Sequence, residues 1–555
     1  EIMPSLVGSE MCIRDRYMPT LDWIGKDKVI NHHKDVPYKV LERKYSFDES
    51  GMHKEDIHSN NMIIHGDNLE ALKSLLPQYE GKIKCIYIDP PYNTGNEGWI
   101  YNDNVNDPKI KKWLGEVVGK EGEDLSRHDK WLCMMYPRLV LLQKLLADDG
   151  AIFISIDDNE KDYLKLICNE IFGANYYMGT IVRATGQTTG QDSSGLGSSF
   201  DYVLVYSKSC DYIFGGLPLT EHDLKRFKNE DDRGNYAYDQ LRKTGSNDRR
   251  EDRPNMYYAI INPDGEELYP TATAGYDSRW RVEKKTYNKL VEDDLIFWKK
   301  TKRNNEEVWW PYVKYYAEGR TKRPSPLWTE IEGNKKASRD VKSILGVDCK
   351  FDYPKPIEMI DRILKIASVG KEDIVLDSFA GSGTTAHAVL NMNKSDGGNR
   401  KFILVEMGDY ADTITAERVK RVINGYGEGK NAVEGTGGNF SYYELGNPLF
   451  MQDGTINDEV DITEVRKYVW YTETNGIEYK EDIQEKYFLG SYNDTAYYFY
   501  YEKDRVTILD YEFLTSVHKK EQAYVIYADS CALSDSDLQK WNITFKKIPR
   551  DIEHI

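Results

Sequence analysis

Residues 375–390 read VLDSFAGSGTTAHAVL. The apolar run at 374–377 has the length of a buried strand, and Asp377 closes it. Phe379, Ala380, Gly381, Ser382 and Gly383 form a Gly-rich turn, and Thr384 and Thr385 open a helix. The glycines let a ligand approach the backbone, and a helix N-terminus favours an anion. Glu406 ends the next strand, FILVE at 402–406, where an acidic side chain can hold both ribose hydroxyls. Strand, Gly turn, helix, strand, acid is the order of a nucleoside-cofactor site. The segment matches neither GxGxxG nor the lysine-bearing P-loop, which weakens dinucleotide and nucleoside-triphosphate readings.

Outward from this point the same rhythm recurs. Upstream, MIIHG at 62–66, IKCIYID at 83–89, AIFISID at 151–157 and YVLVYSK at 202–208 are strand-length runs rich in Ile, Val, Phe and Tyr. Amphipathic segments separate the first three. Leu139, Leu142, Leu145 and Leu146 give one of these a helical stripe, ended by Asp148, Asp149 and Gly150. A helix from about Pro356 to Ala367 precedes the strand at 374–377. This is the grammar of a parallel sheet covered by helices. The rhythm breaks at 216–349, where Arg279, Trp280, Arg281, Phe297, Trp298, Lys299, Trp309 and Trp310 interleave charge with aromatic rings. Expected divisions are an N-terminal segment 18–59, two halves of one α/β domain at 60–215 and 350–436, the insert between them, and a C-terminal domain 437–555. The first 16 residues fit nothing that follows and read as translated adapter sequence. On that reading 1–17 form a non-native extension and Met18 is the start.

The second chemical feature is Asp89-Pro90-Pro91-Tyr92, directly after a buried strand. An exocyclic amine on adenine is a poor nucleophile because its lone pair is delocalised into the ring. A carboxylate accepting one amino hydrogen and a backbone carbonyl accepting the other concentrate electron density on nitrogen. Asp89 supplies the first acceptor and Pro90 the second, while Pro91 biases the backbone toward an extended form. Tyr92 offers a flat face for an extruded base. The expected roles are orientation and stabilisation of a nitrogen turning cationic.

Bulk properties bound the rest. The 555 residues are too long for one ordinary domain, and 40% hydrophobic with 30% charged residues describes a soluble globular protein. No apolar run reaches membrane-spanning length. The seven cysteines include no CxxC pair, and no zinc-ligand spacing is present, which points to a reducing compartment and no metal. His32, His33 and His128 lack ligand partners and read as surface histidines. The net charge of −18 is uneven: 221–342 holds about 26 basic against 23 acidic residues, so a local basic face for DNA is compatible with it. The loop from Asn93-Thr94-Gly95-Asn96 to about Asp129 has the length of a lid.

From residue 18 to about 430 the chain resembles the permuted, β-class amino-methyltransferases, in particular modification subunits of type III restriction–modification systems. The resemblance rests on DPPY preceding FxGxG with a large insert between. It implies a Rossmann-like, circularly permuted, doubly wound α/β fold with a seven-stranded, mostly parallel sheet. It implies S-adenosylmethionine as cofactor, adenine N6 in double-stranded DNA as target, and a prokaryotic, cytoplasmic setting. Residue by residue, Asp89, Pro90, Pro91 and Tyr92 fall on the catalytic motif. Asp377, Phe379, Ala380, Gly381, Ser382, Gly383, Thr384 and Glu406 fall on the cofactor segment. Lys355 and Pro356, in Tyr353-Pro354-Lys355-Pro356, match the stretch lying against the methionine end of the cofactor, and Asp67 matches its adenine-ring contact. The insert would read the DNA, and a separate helicase–endonuclease subunit would cut it; that partner and a homodimer stay open. Rival readings are a cytosine-N4, RNA or glutamine-amide methyltransferase, a DNA-specificity subunit with little turnover, and, further off, a nicotinamide oxidoreductase.

Overall fold

The strands Ile83–Ile88 and Ile374–Asp377 lie side by side and parallel, with Cys85 opposite Val375 and Ile86 opposite Leu376. This pairing joins the two stretches that the insert separates. The structure, a computed structural model, describes residues 20–94, 127–186, 199–303, 306–474, 477, 479–480 and 485–553. The extension at 1–17 and the loop interior at 95–126 lie outside the described residues.

The core strands, numbered in chain order, are β1 Met62–His65, β2 Ile83–Ile88, β3 Leu146–Ile156, β4 Tyr177–Ala184, β5 Phe200–Ser207, β6 Ile374–Asp377 and β7 Lys401–Glu406. Across the sheet they run β4-β5-β3-β2-β6-β7-β1. Strands β3, β2, β6, β7 and β1 are parallel neighbours, and β5 is antiparallel to both β3 and β4. The seven-stranded, mostly parallel sheet expected from the sequence is therefore the centre of a larger one. Leu327–Trp328 adds to β4, and Asn439–Pro448, Lys39–Asp48 and Gly51–His53 add beyond β1, giving eleven strands.

Helices cover both faces. Helix α1 (Asn68–Tyr79) packs on α2 (Arg127–Leu145), and α2 on α3 (Lys161–Phe172). These three share a core with Ile64, Ile86, Ile88, Ile152, Ile154, Leu376 and Ile403. The alternating residues Cys85, Val375, Phe402 and Leu404 are as deeply buried, which is why these strands read as continuous apolar runs. Helices α4 (Ile357–Ile366), α5 (Thr384–Asp396) and α6 (Glu417–Asn424) pack in sequence, α4 on α5 and α5 on α6. Each buried Ile, Leu or Val stabilises the fold by roughly 1.5–3 kcal/mol.

The direction in which strands are added across the sheet reverses between two of them. β2 proceeds through α2 to its neighbour β3, whereas β6 proceeds through α5 to β7 on the opposite side. The crevice outside the carboxyl ends of β2 and β6 is thus a topological switch point, the usual ligand site of an open α/β sheet.

Two boundaries differ from the sequence expectation. The separate compact unit runs Gly216–Pro324, because Leu327–Trp328 pairs with β4 and the helix Asn334–Leu345 packs on α6. Asn439–Pro448 joins the central sheet, so the C-terminal fold begins after it. That fold has a four-stranded sheet of Phe488–Tyr492, Thr495–Phe499, Ala523–Ala528 and Ile543–Lys547, with the last three parallel. Within Gly216–Pro324, a sheet of Ile296–Arg303, Glu306–Tyr316, Gly234–Gln240 and Asn229–Asp231 stands beside a core of Leu241, Ile260, Trp280, Tyr287, Trp310 and Val313. Trp280 and Trp310 are therefore interior residues of that unit. Among the described residues no helix is long and apolar enough to cross a membrane.

Candidate active site

Because β2 and β6 are parallel neighbours, the residues that follow them emerge on the same edge. Asp89 and Asp377 both line one shallow recess there, together with Tyr87, Phe351, Tyr353, Pro354, Lys355, Phe379, Ala380, Gly381, Ser382, Thr384 and Thr385. The acidic turn and the glycine bend are thereby brought to one site.

The glycine bend is shaped from behind. Gly381 and Gly383 both take positive φ, at 53° and 78°, and a Cβ on Gly383 would meet the Thr415 carbonyl at 3.1 Å. Thr415 Oγ1 donates to the Gly381 carbonyl at 2.6 Å. Arg418 reaches through the buried layer to donate to Ser382 Oγ at 2.8 Å and Thr384 Oγ1 at 2.9 Å. Burial pushes the Arg418 guanidinium down to about 10, and the same burial beside this cation pushes His387 down to about 3.

Asp377 accepts from Thr385 Oγ1 at 2.5 Å and from the Phe379 amide at 3.1 Å. Burial, opposed by these hydrogen bonds and helped by the charges of Asp89 and Glu406, pushes its carboxyl up to about 7. Glu406 accepts from the Gly381 amide at 2.8 Å, the Gly408 amide at 2.8 Å and Tyr410 Oη at 2.6 Å. It buttresses the bend from the end of β7 and is not itself part of the recess lining.

The acidic turn is held as firmly. Trp131 on α2 donates its indole N–H to the Pro91 carbonyl at 2.6 Å. Asn93 sits at φ 57°, and its amide donates to the buried Glu160 at 2.5 Å and to the Arg127 carbonyl at 3.2 Å. Glu160 also meets His128 Nδ1 at 2.6 Å, and burial raises its carboxyl. Lys355 bridges the two motifs: its Nζ lies 2.6 Å and 2.8 Å from the Asp89 oxygens and 2.9 Å from Tyr92 Oη, and its carbonyl accepts from Thr384 Oγ1 at 3.3 Å.

An acceptor carboxylate and a glycine bend converge at one crevice, with the Tyr92 ring beside it. Residues 83–417, running from β2 to the start of α6, match the protein family described as DNA methylase, N6_N4_Mtase. The chain belongs to that DNA methylase family. Among this methylase's relatives is the EcoPI Mod subunit of a type III restriction–modification enzyme from Escherichia phage P1, 32% identical over 418 residues, or 70% of this chain and 63% of that protein. The StyLTI Mod subunit from Salmonella typhimurium is 32% identical over 72% of this chain and 62% of its own length. The type II methyltransferase M.KpnI from Klebsiella pneumoniae is 34% identical over 63% of this chain and 81% of its own. The chain thus spans under two thirds of the length of the two Mod subunits.

Several residues expected at the site stand outside the lining of this recess. Asp67 stands outside the recess lining, caps α1 by accepting from the Leu69 amide at 2.7 Å, and pairs with the buried Arg138 at 3.1 Å. Pro356 is the N-cap of α4 and Gly383 that of α5, so both shape the site from behind its wall. Pro90, Pro91 and Tyr92 likewise flank the recess, with Tyr92 touching it through Lys355. His33 is buried, not at the surface, because it lies between α1 and α2, near Lys73 and Lys144. His128 is tied to Glu160. Lys355 as a partner of Asp89, Trp131 as an anchor of Pro91, and Arg418 behind the bend were not read from the sequence in these roles.

Proposed function

We propose that this chain transfers a methyl group from S-adenosylmethionine to N6 of adenine in double-stranded DNA, as the modification subunit of a type III restriction–modification system. The observation that carries the reading is the shared recess, with Asp89 on one wall and the Gly381–Thr384 bend on the other.

The recess suits such a cofactor chemically. Asp89 and Asp377 line it and Glu406 lies just behind, giving an acidic surround for a sulfonium, while Lys355 can meet an amino-acid carboxylate. Ser378 Oγ, buried at the start of the bend, has no hydrogen-bond partner among the described residues. S-adenosylmethionine, when bound, supplies a methyl group already activated by its sulfonium. Gly381, Ser382, Thr384 and Lys355 would hold it, with Glu406 backing the ribose end and Pro356 backing the methionine end.

The chain's own part is to present the base. An adenine leaves the duplex at a cost of a few kcal/mol. Stacking on Tyr92 offsets about 1–3 kcal/mol of this. Asp89 and the Pro90 carbonyl then accept the two amino hydrogens, so the nitrogen lone pair points at the methyl donor and its growing positive charge is met by a carboxylate. Residues of Gly216–Pro324 read the DNA, a helicase–endonuclease subunit supplies cleavage, and the setting is a prokaryotic cytoplasm. In the families this chain resembles, an aspartate in this turn is typical of enzymes acting on adenine.

Tritiated S-adenosylmethionine with adenine-containing duplex tests this. Label is expected in N6-methyladenine, with transfer abolished in Asp89→Ala while DNA binding persists. Label in N4-methylcytosine, or undiminished transfer by Asp89→Ala, contradicts it.

A further inference from the structure

Lys355 stands where a substrate amine has to go. Its ammonium has three hydrogens to donate, and three acceptors surround it: both Asp89 oxygens and Tyr92 Oη. The ammonium also lies over the Tyr92 ring, 4.6 Å from its centre, so it occupies the ring as well as the carboxylate. Lys355 and Asp89 are both buried. A base entering this site meets an acceptor whose two oxygens are both engaged by the ammonium. If it displaced neither group, its nitrogen would gain positive charge beside a fixed cation, and the reaction would be opposed.

The side chain has somewhere to go. Lys355 is the only lysine or arginine among the residues lining the recess. Its carbonyl accepts from Thr384 Oγ1 at 3.3 Å, which ties its backbone to the glycine bend, while the rotatable bonds of the four-carbon stem can carry the ammonium to a new partner. A buried ammonium does not leave one carboxylate without another to receive it. An amino-acid-bearing cofactor brings such a carboxylate into the same recess.

We propose that Lys355 is a gate: it closes Asp89 and Tyr92 to the base until the cofactor's carboxylate draws it away, so that cofactor binds before the base. This rests on the methyl-transfer reading above. Lys355 acts here as a positioning residue that sets the order of binding.

The test compares S-adenosylhomocysteine with 5′-methylthioadenosine, which keeps the nucleoside and sulfur but lacks the amino-acid carboxylate. Calorimetry gives their affinities, and 2-aminopurine at the target position of a duplex carrying the chain's recognition site reports base extrusion. In the unaltered protein, extrusion is expected with S-adenosylhomocysteine and not with methylthioadenosine; this arm needs no substitution. Lys355→Gln is expected to lose about tenfold in its preference for S-adenosylhomocysteine, one charge-assisted hydrogen bond's worth, and to extrude the base with no nucleoside present. Equal extrusion with both nucleosides in the unaltered protein, or a Lys355→Gln variant with unchanged preference and unchanged need for S-adenosylhomocysteine, overturns the gate. If the unaltered protein binds neither nucleoside, the methyl-transfer reading falls and takes the gate with it.

Discussion

Trp131, fully buried on α2, donates its indole N–H to the Pro91 carbonyl at 2.6 Å. The contact locks the middle of the acidic turn to the helix packed beneath β2, so the orientation of Asp89 and Tyr92 is set by the core and not by a surface loop. Sites built on such supports hold their geometry at little cost during reaction.

Replacing Trp131 by Phe keeps a ring in the core and removes the donor. Since misplacing reacting groups by about 1 Å costs on the order of 10²-fold in rate, kcat is expected to fall by roughly that factor. Affinity for S-adenosylhomocysteine should stay within about twofold, because the glycine bend is untouched. Single-turnover kinetics with calorimetry separates the two, and a variant that loses cofactor affinity while keeping its rate contradicts the assignment.

Asp377 gives cofactor binding a pH dependence. Its carboxyl is pushed up to about 7 by burial, so it is mostly protonated at pH 6 and mostly ionised at pH 8. The cationic S-adenosylmethionine should therefore bind more tightly as pH rises through 7, by up to about tenfold, while the uncharged sulfur of S-adenosylhomocysteine leaves a flatter profile. Asp377→Asn should remove the difference. Stability runs the other way: the folded value exceeds the ordinary 3.8, so the folded state holds the extra proton between about 4 and 7 and loses that stabilisation as pH rises through the window.

Arg418 is a buried cation that contacts Ser382, Thr384 and His387 and pairs with no carboxylate in a salt bridge among the described residues. Burying an uncompensated charge is costly, so its retention points to work on the bend. Arg418→Met is expected to leave the melting temperature unchanged or higher and to weaken S-adenosylhomocysteine binding about tenfold. A lower melting temperature with unchanged binding would make the residue purely structural.

Arg183 on β4 pairs with Asp201 on β5 at 2.5 Å, and both are buried. Asp201→Ala leaves the guanidinium unpaired and is expected to destabilise the fold by about 3–5 kcal/mol, whereas the double change Arg183→Met with Asp201→Leu should recover most of it. Urea denaturation measures both.

The same pair explains part of what the sequence did not disclose. β4 reads YMGTIVRA, and a central glycine and a charged arginine break the apolar run that marks a buried strand. Only the partner on β5 makes Arg183 an interior residue. Strands β1, β2, β6 and β7 were legible within a residue because parallel strands covered on both faces need unbroken runs of apolar side chains. Asn439–Pro448 sits nearer the sheet edge, half buried, and its polar sequence carries no such signal. In the site, Asp89 and the glycine bend were visible because local chemistry demands them at their own positions. Lys355, Trp131 and Arg418 act on residues 266, 40 and 36 positions away, and no local pattern encodes such a contact.

The central claim is that this recess methylates adenine in DNA through Asp89. Single-molecule sequencing of DNA from a host expressing the chain, beside one expressing Asp89→Ala, tests it most directly. N6-methyladenine at one recurring motif, present with the unaltered chain and gone with the variant, is the result expected. Unmodified DNA in both hosts, or the same methylated motif in both, would contradict it.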